Sequence, residues 1–555
     1  MKKVEIGNSD FKNFIKNNYY YVDKTLLIEE LLTKGGQVLL FPRPRRFGKT
    51  LNLSMLKYYF DIREDNKDLF KGLNIEKSNL YEKHLNKYPT IYLTFKDVKG
   101  TNWTNIYNLF RNAISKLYKE HEYLLESDKL DDYEKEMINK TIRRDLDETD
   151  YQLSLYNLSE YLYRHYNKEV VILLDEYDTS INAFYDKETY SNISNFLRVF
   201  IGSAFKDNRY LLKGAITGIL KIAKESIFSG ANNITVYNIL DKDFSDKFGF
   251  TEIEVSKILE YYKIEDKIEE IRSWYNGYTF GENVVYNPFS VMSFLVKREL
   301  KSYWVNTGDN ILIKELLLKS NNIFKEKLKN LIEGNAIEEA IEENIVFSQL
   351  NNSKYLWSLL LFSGYLKAIK SFNDKFLLSI PNREIKILYT KIMKEYFTDI
   401  KPELEDIMDK ISIAIMNNDI KKFEEELRNL LTTKLSFHDV GKNKEGVYHV
   451  IIFLSLLRLE YSNYEVRSNK ESGDGRYDIV VIPKDKGKIG YVIEIKLADL
   501  KEELEEKAEE GIKQIEEKRY ESELKERGIE NIVAIGVAFK GKKVFVKDKK
   551  LKTDI

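Results

Sequence analysis

Short apolar runs recur along the first half of the chain, each bounded by turn-forming residues and separated from the next by stretches of helical spacing. Gln37–Phe41 (QVLLF), Thr90–Phe95 (TIYLTF), Val170–Leu174 (VVILL) and Tyr210–Ile216 (YLLKGAI) read as buried strands. The first of them ends in a Pro/Gly-containing loop that leads into the helical pattern Leu51, Met55, Leu56, Tyr59. Strands alternating with helices predict an α/β fold, a mainly parallel sheet covered by helices. From about 251 to 430 the spacing turns mainly helical, interrupted at Asn276-Gly277 and Asn287-Pro288. Within it a helix around Trp357–Phe362, Gly364, a hairpin across Phe372–Ile380 and a helix after Pro381 follow the order of a winged helix, an order that other helix and hairpin combinations share. After Leu435 the pattern predicts a helix over Val447–Leu459, three short strands ending near Lys496, a charged helix over Lys501–Lys525 and a strand over Asn531–Phe539. These shifts divide the chain into 1–250, 251–430 and 431–555. No internal repeat of fixed period is found, and the Glu/Lys-rich stretch Lys501–Lys518 reads as a solvated helix face.

Composition narrows the classes. A chain of 555 residues exceeds a single ordinary core, and 43% apolar with 32% charged residues argues against global disorder. With 88 basic against 89 acidic residues, any nucleic-acid surface must be a local patch. The absence of cysteine excludes disulfides, thiolate zinc sites and cysteine nucleophiles, so metals must sit on oxygen or imidazole ligands. The first residues lack the apolar core of a signal peptide, and no run approaches the roughly 20 apolar residues of a membrane span. A cytoplasmic protein with no membrane partner is expected. The abundance of Lys, Ile, Asn and Tyr fits an AT-rich genome and carries no function.

Two constellations carry chemistry. Arg43-Pro44-Arg45-Arg46-Phe47-Gly48-Lys49-Thr50 fits a P-loop at its decisive end: Gly48 admits phosphate to the backbone, Lys49 reaches the outer phosphates, and Thr50 ligates magnesium. Arg43 stands where the first glycine of the usual pattern would be. Arg45 and Arg46 are suited to neutralising phosphate charge, in this chain or a neighbour. The strand of VVILLDEYD delivers adjacent carboxylates at its C-terminal end, where open parallel sheets bind ligands. Asp175 would hold magnesium through water and Glu176 would polarise the attacking water. Thr217, just after another strand, stands where a hydroxyl would contact the γ-phosphate or that water, as a sensor does; a plain strand-end hydroxyl is the competing reading.

In the second constellation Asp478 lies near the start of an apolar strand and Glu494 and Lys496 share one face of the next, because strand side chains alternate. Paired carboxylates of this kind suit Mg²⁺ or Mn²⁺, with Lys496 orienting water or phosphate. Glu445 offers a third carboxylate and Gln514 a group to steady the metal-bound water. His438 and His449 lie nearby and read as hydrogen-bonded structural histidines.

The run Tyr21-Val22-Asp23-Lys24-Thr25, the RPRRFGKT loop, the LLDEYD strand, and Gly277, Tyr278 and Asn287-Pro288 together resemble the bacterial AAA-ATPase-like family, over roughly residues 1 to 400. That resemblance implies ATP as cofactor and puts Tyr21 and Asp23 near the nucleotide base. The helix, three strands, helix and strand around Asp478, Glu494 and Lys496 resemble the PD-(D/E)xK nuclease superfamily, whose fold is that of restriction endonucleases. Glu445-Gly-Val-Tyr-His449, Ser472–Arg476 and Gln514–Tyr520 also fit it, while Tyr477 stands where the superfamily often has Pro. Together the two resemblances imply an ATP-regulated, metal-dependent nuclease acting on double-stranded DNA, by analogy in defence against or processing of foreign DNA. A nucleotide-dependent sensor or DNA-binding switch that does not cut is the alternative, and RNA is a further candidate substrate. ATPases of this type often assemble, so a homo-oligomer with Arg45 or Arg46 acting between subunits is expected.

Overall fold

The computed structural model describes residues 1–181, 187–220, 233–305, 311–344, 353–370, 375–398, 403–432, 444–468, 471–500 and 503–551. The chain divides into two units, Met1–Leu316 with Glu338–Ile385, and Leu317–Ile337 with Lys386–Ile555. The stretch expected as a middle module is thus shared between them. Among the described residues no helix is long and apolar enough to cross a membrane.

The first unit is built on β1 (Val38–Pro42), β2 (Thr90–Thr94), β3 (Val170–Asp175), β4 (Leu211–Gly218) and β5 (Ile234–Val236). All pair in parallel, in the order β2-β3-β4-β1-β5. Every residue of β1 and β3 is buried, which is why both read as unbroken apolar runs. The three-residue β5 is half-buried and too short to show a period. Because β4 lies between β1 and β3, with Phe41 opposite Thr217 and Leu174 opposite Ile216, the C-terminal ends of these strands meet along one edge.

The interruptions read at Asn276-Gly277 and Asn287-Pro288 bracket a small antiparallel sheet, β6 (Phe250–Thr251), β7 (Tyr278–Phe280) and β8 (Asn283–Tyr286), in the order β6-β8-β7. Strands of two to four residues leave no periodic signal, so this part of the expected helical stretch is corrected to strand. Asn287 then caps the helix Pro288–Lys297, its side chain accepting from the Ser290 N–H at 3.0 Å. Further on, the helix Ser353–Phe362 covers the expected helix, while the hairpin expected across Phe372–Ile380 is shifted, its strands being β10 (Lys367–Lys370), wholly before Phe372, and β11 (Lys375–Ser379), which with β9 (Ile337–Ala340) are ordered β10-β11-β9.

In the second unit β12 (Tyr464–Ser468), β15 (Ile479–Pro483), β16 (Gly490–Leu497), β17 (Ile532–Lys540) and β18 (Lys543–Leu551) form one sheet in that order, beside a ribbon of β13 (Glu471–Ser472) and β14 (Gly475–Arg476). Only β16 and β17 run parallel; the other pairs are antiparallel. A parallel neighbour needs a crossover, and the helix Leu504–Glu517 supplies it. The lysine-rich β18 escaped the sequence reading because its charges hide a strand that pairs with β17 along its length. The helix buries Leu504, Ala508, Gly511, Ile512 and Ile515 against the sheet and turns its charges outward.

This helix sits close to the sheet because glycines meet beneath it. A Cβ on Gly536 would fall 1.9 Å from the Ala508 carbonyl oxygen, and one on Gly511 would fall 3.4 Å from the Gly536 Cα. Gly536→Ala should therefore push the helix outward and cost about 1–3 kcal/mol, read as a lower urea midpoint in equilibrium unfolding. An unchanged midpoint would contradict the packing described.

Candidate nucleotide and metal centres

The loop after β1 curls around its own lysine. Lys49, at the start of the helix Lys49–Phe60, donates from Nζ to the carbonyls of Arg43 and Pro44, each at 2.9 Å. Gly48 caps that helix at φ 85° and Arg46 takes φ 66°, a conformation uncommon outside glycine. A helix begun this way leaves N–H groups without intrahelical partners and a positive dipole end, a ready site for phosphate. Burial pushes the Lys49 ammonium down, and the carboxylates of Glu176, Asp178 and Asp175 hold it up. Arg43, at the expected glycine position, turns away from the loop: it is fully buried, donates to the Pro42 and Tyr237 carbonyls, and lies over the rings of Phe248 and Phe280. With so little water around it, its guanidinium is pushed down to about 9.

At the neighbouring strand ends Asp175 is fully buried and accepts from the Thr217 hydroxyl at 2.5 Å. Its Oδ2 is buried with no hydrogen-bond partner among the described residues. Burial pushes this carboxyl up, Thr217 pulls it down, Glu176 adds to the rise, and Thr50 and Lys49 oppose it. Thr217 is itself fully buried, so its hydroxyl orients Asp175 and sits near the Glu176 N–H (3.5 Å). Glu176 stands at φ 52°, which turns it out of the strand direction, and its Oε2 accepts from Thr179 at 3.3 Å. Asp178, not singled out by the sequence, accepts from the N–H groups of Ile219 and Leu220 and so holds the end of β4.

A cavity of about 440 Å³ lies between the P-loop and Glu176 and Asp178; Arg43, Asp175 and Thr217 are not among its lining residues. The P-loop from Arg45 onward and Glu176 line it, with Ile6, Tyr20, Tyr21 and Val22 as an apolar wall and Lys96, Lys99 and Lys247 as cations. Arg45 lies within it, and Arg46 places its guanidinium 4.7 Å from the centre of the Phe289 ring. Tyr21 faces the cavity, whereas Asp23 is engaged in structure, accepting from Thr25 and from the Asn74 N–H.

In the second unit the ladder between β15 and β16 pairs Ile479 with Ile493, and one step on sets Asp478 across from Glu494. Asp478 accepts through Oδ2 from the Ile495 N–H at 2.7 Å. Glu494 is 3% exposed; its Oε1 accepts from Lys496 Nζ at 3.0 Å and from Gln514 Nε2 at 2.7 Å. Gln514 also accepts from Lys496 at 2.6 Å, so Glu494, Lys496 and Gln514 are joined by hydrogen bonds, with Asp478 on the neighbouring strand. Glu494 Oε2 is buried with no hydrogen-bond partner among the described residues. Burial and the nearby Asp478 carboxylate push Glu494 up to about 7, against the pull of Lys496.

Tyr520, named from the sequence only as the end of a segment that fits the superfamily and given no role there, accepts at its hydroxyl from Gln514 at 3.1 Å, and Gly475 packs against it. Its signal was position alone, one turn past the end of the helix that carries Gln514. His449 Nε2 donates to the Asp478 carbonyl (3.1 Å) and lies 2.9 Å from the Ser468 hydroxyl, contacts of the structural kind expected of it. Glu445 lies in the helix Lys444–Leu456, but its side chain, like all of His438, lies outside the described residues.

Both centres fit a divalent cation by the same test. Each presents a buried carboxylate oxygen with no hydrogen-bond partner among the described residues, beside a second acidic group, and oxygen donors of this kind suit Mg²⁺ or Mn²⁺. Thr50 and Asp175 would hold it in the first unit, Asp478 and Glu494 in the second.

Comparison with known proteins agrees with this division. The model of a family described as Predicted AAA-ATPase matches residues 5–228, and that of the PD-(D/E)XK nuclease superfamily matches residues 443–549. A curated relative, an uncharacterized protein in the vnfD 5' region of Azotobacter chroococcum mcd 1, is 26% identical over 558 residues, covering 97% of this chain and 96% of its own. The chain carries an AAA-ATPase-like domain and a PD-(D/E)XK nuclease superfamily domain on mixed α/β architecture.

The raised Glu494 carboxyl has a consequence for stability. A folded-state pKa above the unfolded value contributes stability that is complete below the unfolded pKa and lost as pH rises through about 7. With a chelator present, Glu494→Gln is expected to be more stable than the native chain at pH 8 by roughly 1–3 kcal/mol, and close to it at pH 5. Urea unfolding at the two pH values checks this, and a difference that does not change with pH would refute it.

Proposed function

We propose that this chain binds and hydrolyses ATP in its first unit and cleaves phosphodiester bonds of double-stranded DNA in its second, with Mg²⁺ at the first centre and Mg²⁺ or Mn²⁺ at the second. The observation that supports this best is the pair of buried, half-satisfied carboxylates, Asp175 and Glu494, each set beside a lysine and a second acid. Lys49 would exchange the carbonyls of Arg43 and Pro44 for phosphate oxygens, with the N–H groups around Gly48 and the guanidinium groups of Arg45 and Arg46 sharing the charge. Thr50 and Asp175 would hold the cation, Thr217 keeping Asp175 in place. Glu176 would take the proton of the attacking water, its carboxylate projecting into the cavity from a constrained backbone.

In the second unit Asp478 and Glu494 would hold the cation, with Glu445 as a candidate third ligand. A bound divalent cation supplies an acidified water and neutralises charge on the phosphate. Lys496, held by Glu494 and Gln514, is set to orient that water or a phosphate oxygen, and Gln514 to fix Lys496. The natural reading of the pair is that nucleotide state controls cleavage, with the chain acting as an oligomer in the cytoplasm.

The test is cleavage of linear and circular duplex DNA with Mg²⁺ or Mn²⁺, with and without ATP. Lys496→Ala should abolish cutting, Lys49→Ala should remove the response to ATP, and Glu176→Gln should bind ATP but hydrolyse it about 10²–10⁴-fold more slowly. Nucleotide-dependent DNA binding with no cutting by the native chain under any condition would favour the sensor instead.

A further inference from the structure

Of Gly277, Tyr278 and Asn287-Pro288 only Pro288 lines the nucleotide cavity, yet the segment around them reaches the P-loop from outside. We propose that Trp304 and Glu384 are positioning residues that fix the Arg45–Arg46 peptide of the P-loop, and so set nucleotide affinity; this rests on the reading of that loop as the ATP site.

The indole N–H of Trp304 donates to the Arg45 carbonyl at 3.1 Å. Its own backbone is held in turn by Glu384, a fully buried carboxylate that accepts from the N–H groups of Tyr303 (2.5 Å) and Trp304 (2.6 Å) and from the Ser290 hydroxyl (2.8 Å). A carboxylate buried to this depth is costly unless its hydrogen bonds are kept, so it resists any shift of the strap 303–304. The Trp304 ring is wedged between Tyr365 (5.1 Å between ring centres) and Tyr278 (6.4 Å), and Tyr278 in turn meets Phe47 at 4.9 Å.

The approach to Glu384 is equally constrained. Gly277 at φ 97° admits the Pro381 carbonyl to a place where a Cβ would lie 2.1 Å away, and the Asn382 amide donates to the Asn276 carbonyl at 2.8 Å. Gly364 makes the corresponding approach to Pro44, where an added Cβ would lie 2.9 Å from its side chain. Pro44, Arg45 and Phe47 are therefore all braced by residues beyond the part of the chain matched as an ATPase domain, 5–228.

The geometry of one peptide unit gives the brace its effect. In a planar trans peptide the C=O and the following N–H point in opposite directions, so tethering the Arg45 oxygen aims the Arg46 N–H away from Trp304. The carbonyls of Arg43 and Pro44 are held by Lys49, which must release them to reach phosphate. The Trp304 tether does not depend on Lys49 and persists through that exchange, keeping the loop shaped for the nucleotide.

Binding of a fluorescent ATP analogue to the full chain tests this, with Tm recorded for each variant. Trp304→Phe keeps the ring packing and removes the donor; a roughly three- to tenfold weaker Kd is expected, with kcat at saturating ATP changed less than about twofold. Glu384→Gln should weaken binding in the same direction, and the double variant should be no weaker than the worse single one, since both act through one contact. A lowered Tm with unchanged Kd in Trp304→Phe, or effects that multiply in the double variant, would overturn the inference. Lys49→Ala separates the two levels. If it weakens binding and Trp304→Phe does not, only this inference fails. If the native chain binds no analogue, or Lys49→Ala leaves binding intact, the ATP-site reading fails and this one with it.

Discussion

A carboxylate oxygen taken out of water and left without a donor is expensive, on the order of several kcal/mol when it carries charge. Among the described residues such oxygens include one on Asp175 and one on Glu494, and these two stand at the end and in the middle of buried strands, each beside a lysine and a second acid. Much of the surrounding structure follows from keeping those two oxygens in place. In the first unit, placing β4 between β1 and β3 brings Thr217 to Asp175 and sets both beside the P-loop. In the second, the close seating of the helix Leu504–Glu517 on Gly536 brings Gln514 over Glu494 and Lys496.

The two centres solve the same electrostatic problem differently. At Asp175 the opposing charge is Lys49, which is itself buried and tied to loop carbonyls, so nucleotide and cation would have to enter together to rearrange it. At Glu494 the ammonium of Lys496 already makes direct contact with one oxygen, and the other has no hydrogen-bond partner among the described residues. The first arrangement suits a switch that changes with what is bound; the second suits a site assembled in advance.

The parts legible in the sequence are those set by neighbours in the chain. RRFGKT between a strand and a helix, DE at the end of an apolar strand, and ExK with its alternation all announce themselves locally, and the structure brings the named residues together. What stayed hidden depends on distant pairing. The short β5 and the lysine-rich β18 become strands only beside β1 and β17. Tyr520 matters only because the chain folds back onto Gln514, and Arg43 reads as a lost glycine until the rings of Phe248 and Phe280 supply a place to bury it. Trp304 and Glu384 lie more than 250 residues from Arg45 and some 80 from each other, respectively, and no local pattern joins them.

If Asp175 and Glu494 belong to separate cation sites, as proposed, each site should be lost on its own. Titration of Mn²⁺ by calorimetry in the presence of a non-hydrolysable ATP analogue measures this directly, on the native chain, Asp175→Asn and Glu494→Gln. Two classes of site are expected, one removed by each substitution and the other left intact. No Mn²⁺ binding by the native chain, or binding that neither substitution alters, would contradict it.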